Sequence, residues 1–154
     1  MKVTSILVAA ASIAVLALSP TAFAQQGKYG TATEAKAMLE KVVAAVKANK
    51  AKALASFSAG TDGFKDRDLQ PFCWNKSDGL LTASGFPALL GKDIRTLKDS
   101  TGKAYGEENF KAAIDGKITE VSYLFPRPGE TEPISTVSFI TGVGDQGCGV
   151  GYFK

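Results

Sequence analysis

The residue types that carry most hydrolytic chemistry are sparse in this chain. It contains no histidine, which excludes Ser-His-Asp and Cys-His nucleophile systems, HExxH zinc sites and the usual proton shuttle near neutral pH. Carboxylates that could act as general acid and base do occur in pairs, at Asp66 and Asp68 and at Glu107 and Glu108. A charged turn before a strand explains the first pair more simply, and we predict that the protein is not an enzyme.

The segment Gly142-Val-Gly144-Asp-Gln-Gly147 formally matches the GxGxxG pattern of dinucleotide-binding proteins. That pattern must follow a strand and open a helix, whereas this segment leads into the last predicted strand. The 18 basic and 15 acidic side chains are interspersed rather than gathered into a stripe, which argues against a nucleic acid or a membrane surface as partner. We therefore expect no cofactor, no metal and no nucleic-acid partner.

The first 24 residues have the three-part order of a secretory signal peptide. Lys2 supplies a positive start, residues 6–18 an apolar core, and Ala22-Phe23-Ala24 a small-x-small cleavage site. A retained membrane anchor is the alternative, but the apolar run is interrupted and shorter than the ~20 residues that span a bilayer. We predict a signal peptide over residues 1–24, cleavage between Ala24 and Gln25, and one periplasmic or secreted domain over residues 25–154.

Cys73 and Cys148 are the two cysteines of the chain. In an oxidising compartment a structural disulfide is favoured over metal binding or catalysis. Such a bond would close a loop of roughly 75 residues and add up to about 4 kcal/mol in the chain-entropy model. Because the Cα atoms of a disulfide lie within about 7 Å of each other, the strands that contain the two cysteines should be neighbours.

The elements that position these residues form a helical part and a part rich in strands. Thr31-Ala-Thr-Glu34 fits a capping box, and the apolar residues after it recur at three-to-four spacing. This pattern predicts a long amphipathic helix over about residues 31–58, packed on a core or a dimer partner rather than on lipid. Sheet and loops follow over about 64–154, with antiparallel strands predicted at 69–75, 80–82, 118–125, 135–141 and 147–153 and a helix from 106 or 107 to 114.

The predicted disulfide also sorts side chains between the two faces of the sheet. Strand alternation places Phe72 and Trp74 on the face opposite Cys73. The glycines of the last strand, Gly147, Gly149 and Gly151, share that face. The aromatic rings then either fill the space as core, which composition slightly favours, or form the walls of a small-molecule pocket.

Several motifs together resemble the single Cache domain, a PAS-like extracytoplasmic sensor module of bacterial receptors and free-standing periplasmic proteins. The motifs that carry this resemblance are Phe64-Lys-Asp-Arg-Asp-Leu-Gln-Pro-Phe-Cys-Trp74, Asp78-Gly79, Pro87-Ala-Leu-Leu-Gly-Lys-Asp93, Leu97-Lys-Asp99, Gly102-Lys103, Val121-Ser-Tyr-Leu-Phe125, Glu132-Pro133 and Gly147-Cys-Gly-Val-Gly-Tyr152. The resemblance implies an α+β fold in which the long N-terminal helix packs on a five-stranded antiparallel sheet. In that sheet the first strand lies between the second and the last.

The resemblance further implies a ligand site on the sheet face away from the helix, under the middle loops. The ligand-binding residues carried over by position are Phe72, Trp74, Tyr123, Phe125, Ser138 and, as an anion contact, Lys92. Many members of the family carry a histidine in the segment that residues 81–84 occupy and a basic residue near Thr136, and this chain has neither. Both losses put an acidic ligand in doubt and leave room for a neutral or apolar one, or for a pocket closed by the aromatic rings.

These observations lead to two functional interpretations of different classes. The first is a periplasmic, non-catalytic sensor domain that binds a small metabolite (an organic acid, an amine or a neutral compound) and acts through a partner such as a membrane receptor or kinase. The second is an interaction module with a filled pocket, which forms a homodimer or binds a membrane signalling protein through its long helix. An empty cavity would favour the first, and an exposed apolar strip on the helix the second.

Overall fold

The computed structural model describes residues 27–154 of the chain. The predicted signal peptide and its cleavage site at Ala24 lie outside the described residues. The helices and strands are α1 (Ala32–Ala59), β1 (Pro71–Asn75), β2 (Leu81–Ala83), α2 (Tyr105–Ala112), β3 (Thr119–Pro126), β4 (Pro133–Val143) and β5 (Gln146–Phe153), with short 3-10 turns at Pro87–Leu89 and Ile94–Thr96. Within the described residues no helix is long and apolar enough to cross a membrane.

The long helix α1 begins and ends where the sequence predicts. The Thr31 hydroxyl accepts the Glu34 backbone N–H at 3.3 Å, and the Glu34 carboxylate accepts the Thr31 backbone N–H at 2.8 Å. Gly60 ends the helix with a left-handed φ of 67°, a conformation that glycine adopts at little cost. One feature is new: Asn49 leaves the helical conformation, and its side chain accepts the Lys52 backbone N–H at 3.1 Å.

The five strands form one antiparallel sheet in the order β2-β1-β5-β4-β3. The first strand therefore lies between the second and the last, and the α+β fold expected from the sequence is confirmed. Cys73 pairs with Cys148 in the register of β1 and β5, and the two form a disulfide with their Cα atoms 4.1 Å apart. Strand β1 starts two residues later than predicted, because Asp66 and Leu69 bond to each other in a separate tight turn.

Each face of the sheet carries its own core. The face under α1 buries the disulfide against Leu39, Val42 and Phe57 of the helix. The opposite face carries Trp74, Tyr123 and Ile140, and it is covered by the segment from residue 84 to the end of α2. The predicted separation of Cys73 from its neighbours Phe72 and Trp74 is therefore confirmed.

Candidate functional site

A cavity of about 70 Å³ lies between the sheet and the segment that covers it. Its floor comes from the strands, through Phe72, Tyr123, Thr136 and Gly151, and its roof from the residues that follow β2 and from α2. The roof and rim residues among its lining are Ser84, Gly85, Phe86, Leu89, Ile94, Leu97, Tyr105 and Asn109.

The three glycines of β5 differ in what lies above them. The indole ring of Trp74 covers Gly147 and the ring of Phe72 covers Gly149, so closely that an added Cβ would lie 2.3 Å and 2.7 Å from ring carbons. At Gly151 the nearest atom to such a Cβ is the Ser138 hydroxyl oxygen at 3.0 Å, and no ring covers the position. Both interpretations of the aromatic residues thus apply, since the rings fill two positions and leave the third as cavity floor.

Aromatic rings wall the cavity and hold one another in place. Tyr105 of α2 stacks on Tyr123 of β3 with ring centroids 4.2 Å apart, and Phe86 meets Phe125 edge to face at 5.0 Å. Burial raises the pKa of Tyr123 to about 12, an effect that its polar neighbours Ser138 and Asn109 oppose only in part. Burial also raises the pKa of Tyr105, so both phenols stay uncharged at neutral pH.

Asn109 is the polar side chain of the cavity that has no partner. It projects from α2 and is fully buried (0% exposed). Neither its amide nitrogen nor its amide oxygen meets hydrogen-bond geometry with any described residue, although the amide lies close enough to the Tyr123 hydroxyl to lower the pKa of that group. Buried amides almost always have partners, so an unpaired one that lines a cavity is suited to bind a ligand. Sequence reasoning missed Asn109, although its position four residues after Tyr105 places both on one helix face.

The structure distributes the ligand-binding residues predicted from the sequence over three environments. Phe72, Tyr123 and Phe125 line the cavity. Trp74 and Ser138 are fully buried beside it, where the Ser138 hydroxyl hydrogen-bonds the Tyr123 hydroxyl at 2.7 Å. The side chain of Lys92 is exposed and lies outside the cavity lining, which gives it no contact with the predicted site. Whether any of the six contacts a ligand stays a prediction.

Among the described residues, one charged residue, Asp68, lines the cavity. One of its carboxylate oxygens accepts the Gly30 backbone N–H at 2.7 Å, and the other accepts the Arg127 Nε–H at 3.4 Å. No lysine or arginine lines the cavity within the described residues. The cavity is therefore apolar and aromatic, with one compensated charge at its edge.

The carboxylates considered for acid-base chemistry are held in ion pairs. Asp66 pairs with Arg67 at 2.8 Å, and Glu107 and Glu108 pair with lysines at 3.1 Å. Where neighbouring donors shift the pKa of a carboxyl group in the described chain, as at Asp93, Asp99 and Asp115, the shift is downward. Residues 27–154 also contain no cluster of three or more potential metal-ligating side chains.

Comparisons with known proteins bear on the fold. No family model matches the sequence, and no curated protein matches it significantly. Among solved structures, a methyl-accepting chemotaxis protein from Vibrio parahaemolyticus is similar, with a TM-score of 0.62 and 22% identity over 79% of this chain and 86% of that one.

Two further structures agree with that match. The periplasmic sensor domain of a chemotaxis protein has a TM-score of 0.58 and 22% identity, covering 77% of this chain and 86% of its own. A Cache chemosensory domain studied for carboxylic acid recognition has a TM-score of 0.57 and 20% identity, covering 77% and 84%. The chain therefore has the fold of Cache sensor domains, as the sequence motifs imply.

Proposed function

We propose that this protein is a periplasmic, non-catalytic sensor domain of the Cache type, which binds a small metabolite in the cavity between the sheet and its covering segment. One observation carries the proposal: a preformed aromatic cavity is lined by Asn109, whose buried amide has no hydrogen-bond partner among the described residues. Small-molecule sites are typically apolar cavities with a few polar groups that fix the orientation of the ligand.

The volume of the cavity limits the size of the ligand. At about 70 Å³ it has roughly half the volume of an engineered cavity of about 150 Å³ that holds one benzene molecule. We expect a ligand with about three or four non-hydrogen atoms. A larger metabolite would require the covering segment to move outward.

The side chains support the proposed absence of catalysis. The sequence has no histidine, and its paired carboxylates are neutralised by neighbouring cations. As a sensor domain it would pass its signal to a partner, and a membrane receptor or kinase is the class of partner we propose.

The surface of α1 gives less support to the alternative, an interaction module that docks or dimerises through this helix. Within the described helix most exposed positions carry lysine or alanine, such as Lys36, Ala44 and Ala51, the others are polar, and no large apolar side chain is exposed. Helix docking surfaces bury larger apolar residues. Ligand binding therefore has the stronger structural basis.

A thermal-shift screen of the protein exported under its own leader tests the proposal. Small acids, amines and neutral compounds form the panel, and the intact mass should show a chain that begins at Gln25. A ligand at 100 times its Kd adds about 2.7 kcal/mol, or about 10 °C in Tm for a domain of this size. If no compound of the panel raises the Tm at millimolar concentration, the sensor proposal is wrong.

A variant pair locates the binding in the cavity. Gly151→Val places two methyl groups into the cavity from its floor, where an added Cβ would lie 3.0 Å from the Ser138 hydroxyl oxygen, a tight contact that a small shift of this side chain must relieve. We expect this variant to fold and to lose the ligand-induced shift. Lys92→Ala, at an exposed position outside the lining, should keep the shift, and equal responses of the two variants would place the ligand elsewhere.

A further inference from the structure

We infer that the cavity selects a small uncharged ligand that carries a hydrogen-bond donor beside an acceptor, as a primary amide does, and that Asn109 is the specificity residue. This inference rests on the proposed function and narrows its ligand class. It depends on the charges around the cavity, on the pairing of Asp68 and on the free amide of Asn109.

A carboxylate would find no compensating charge in the cavity. No lysine or arginine lines it within residues 27–154, and the exposed Lys92 lies outside the lining. Moving a carboxylate from water into an apolar site without a cation costs far more than a hydrogen bond returns. This chain therefore differs from the Cache domain studied for carboxylic acid recognition, although the two share a fold.

A cation would find a carboxylate that is already engaged. Asp68 accepts from the Gly30 backbone N–H with one oxygen and faces Arg127 with the other. The Arg127 side chain is itself held in place, with its guanidinium 3.9 Å from the centre of the Tyr29 ring. An ammonium ligand would have to displace Arg127 to gain a counter-charge, so the pair leaves the cavity without net charge.

The Asn109 amide matches a primary amide group by group. Its NH2 group can donate to the carbonyl oxygen of the ligand, while its own oxygen accepts from the NH2 group of the ligand. A carboxylate offers two acceptors and an amidinium two donors, so either one leaves one Asn109 atom unpaired and facing a like group. Leaving a buried polar group unpaired gives strong discrimination between ligands of equal shape.

Backbone contacts near Asn109 fix the helix that carries this amide. Helix α2 lies against the covering segment at Gly106, where an added Cβ would lie 1.8 Å from the Ile94 carbonyl oxygen. The Gly106 backbone N–H donates to the Leu97 carbonyl at 3.2 Å. A polar group on a helix fixed in this way is preorganised for recognition.

Three compounds of one shape test the inference: acetamide, acetate and acetamidinium, titrated calorimetrically at pH 7 into the exported protein. They differ in charge and in their donor and acceptor pattern but not in size. We expect acetamide to bind at least about tenfold more tightly than either ion. Equal or tighter binding of acetate or acetamidinium overturns the inference and leaves the proposed function standing. If none of the three binds, the inference is wrong, and the wider screen alone decides the proposed function.

Variants assign the selectivity to Asn109. Asn109→Asp keeps the shape but replaces the donor by a second acceptor, so acetamide should weaken at least about tenfold and acetamidinium should gain. Lys92→Ala should leave all three affinities within about twofold. Unchanged acetamide affinity in Asn109→Asp would exclude Asn109 from recognition.

A measurement on the unaltered protein covers the case in which Asn109→Asp does not fold. The side-chain NH2 resonances of Asn109 should shift in 15N-correlated NMR spectra when acetamide is added and stay in place with acetate. Binding of acetamide without such a shift would also contradict the role of Asn109.

Discussion

The glycine residues of strand β5 serve two different purposes. Gly147 lets the Trp74 ring pack closely against the strand, whereas Gly151 forms part of the cavity floor. The same residue type in the same strand thus permits core packing at one position and an empty volume at another. The neighbouring strand β1 places the Trp74 ring beside Gly147, but its pairing with β5 ends before Gly151.

Alanine substitutions separate these two roles. Gly147→Ala forces the fully buried Trp74 ring to move, and we expect it to lower the free energy of unfolding by about 1–3 kcal/mol, as overpacking does. In Gly151→Ala the closest contact of the new Cβ is with the Ser138 hydroxyl oxygen at 3.0 Å, and the next, with Thr136, is at 3.5 Å, so this variant should cost less than about 1 kcal/mol. Urea unfolding measures both variants, and equal losses would contradict the assignment of Gly151 to an open floor.

Alternation along β1 predicted which side chains lie on the cavity face of the sheet. Tertiary packing determined the rest of the site. The side on which Phe72 and Trp74 lie follows from the period of a strand once Cys73 is paired. The burial of Asn109 could not be read from the sequence, because asparagine is mostly exposed and only the packing of α2 over the sheet encloses it. The exposure of Lys92 likewise depends on how its loop lies.

The carboxylate of Asp99 links the covering segment to the sheet. One oxygen of Asp99 accepts the Thr101 hydroxyl at 2.6 Å and the Thr101 and Lys103 backbone N–H groups at 2.9 and 3.1 Å. The other accepts the Leu124 backbone N–H of β3 at 3.1 Å. Asp99 therefore ties the loop before α2 to the strand that carries Tyr123 and Phe125.

These bonds predict an acid dependence of stability. Led by the Thr101 hydroxyl, they lower the pKa of Asp99 from its ordinary 3.8 to about 2. A carboxyl group whose pKa is lower in the folded state stabilises the fold above its unfolded pKa, and this contribution is lost as the pH falls through the folded pKa. The urea midpoint should therefore fall between about pH 4 and about pH 2 in the unaltered protein, and less steeply in Asp99→Asn.

The exposed Glu132 provides the control for this measurement, since its side chain makes no hydrogen bond or ion pair among the described residues. Glu132→Gln should follow the unaltered protein over the whole range. An Asp99→Asn variant with the same acid slope as Glu132→Gln would show that Asp99 does not tie the loop to the strand.

Sequence signals that act within a few residues predicted the helix α1 and the long strands well. The capping box and the terminal glycine mark both ends of α1, and alternation marks the long strands. The interruption at Asn49 could not be predicted, because the apolar spacing continues past it and the break depends on a side chain that caps the second half of the helix. Apart from α2, the roof of the cavity consists of 3-10 turns and loops, which have no periodic pattern to recognise.

The disulfide connects β1, the first strand along the chain, to β5, the last. Cys73 and Cys148 are 75 residues apart, and both are fully buried under α1. The pairing of two cysteines was enough to predict which strands are neighbours, and the family resemblance supplied the order of the other strands. Solved structures of 20–22% identity have the same fold, although no family model matches the sequence.

The closure of this long loop makes the disulfide a large contributor to stability. In the chain-entropy model a loop of this length adds about 4 kcal/mol, and loss of a native disulfide typically costs about 2–5 kcal/mol. Reduced protein should therefore unfold at a markedly lower urea concentration than oxidised protein, as should the double variant Cys73→Ala/Cys148→Ala. The cavity lies on the other face of the sheet, so the affinity for acetamide should change little below the unfolding transition. Equal urea midpoints for the oxidised and reduced forms would show that the sheet and α1 hold the fold without the covalent link, and a large loss of acetamide affinity on reduction would show that the two faces are coupled.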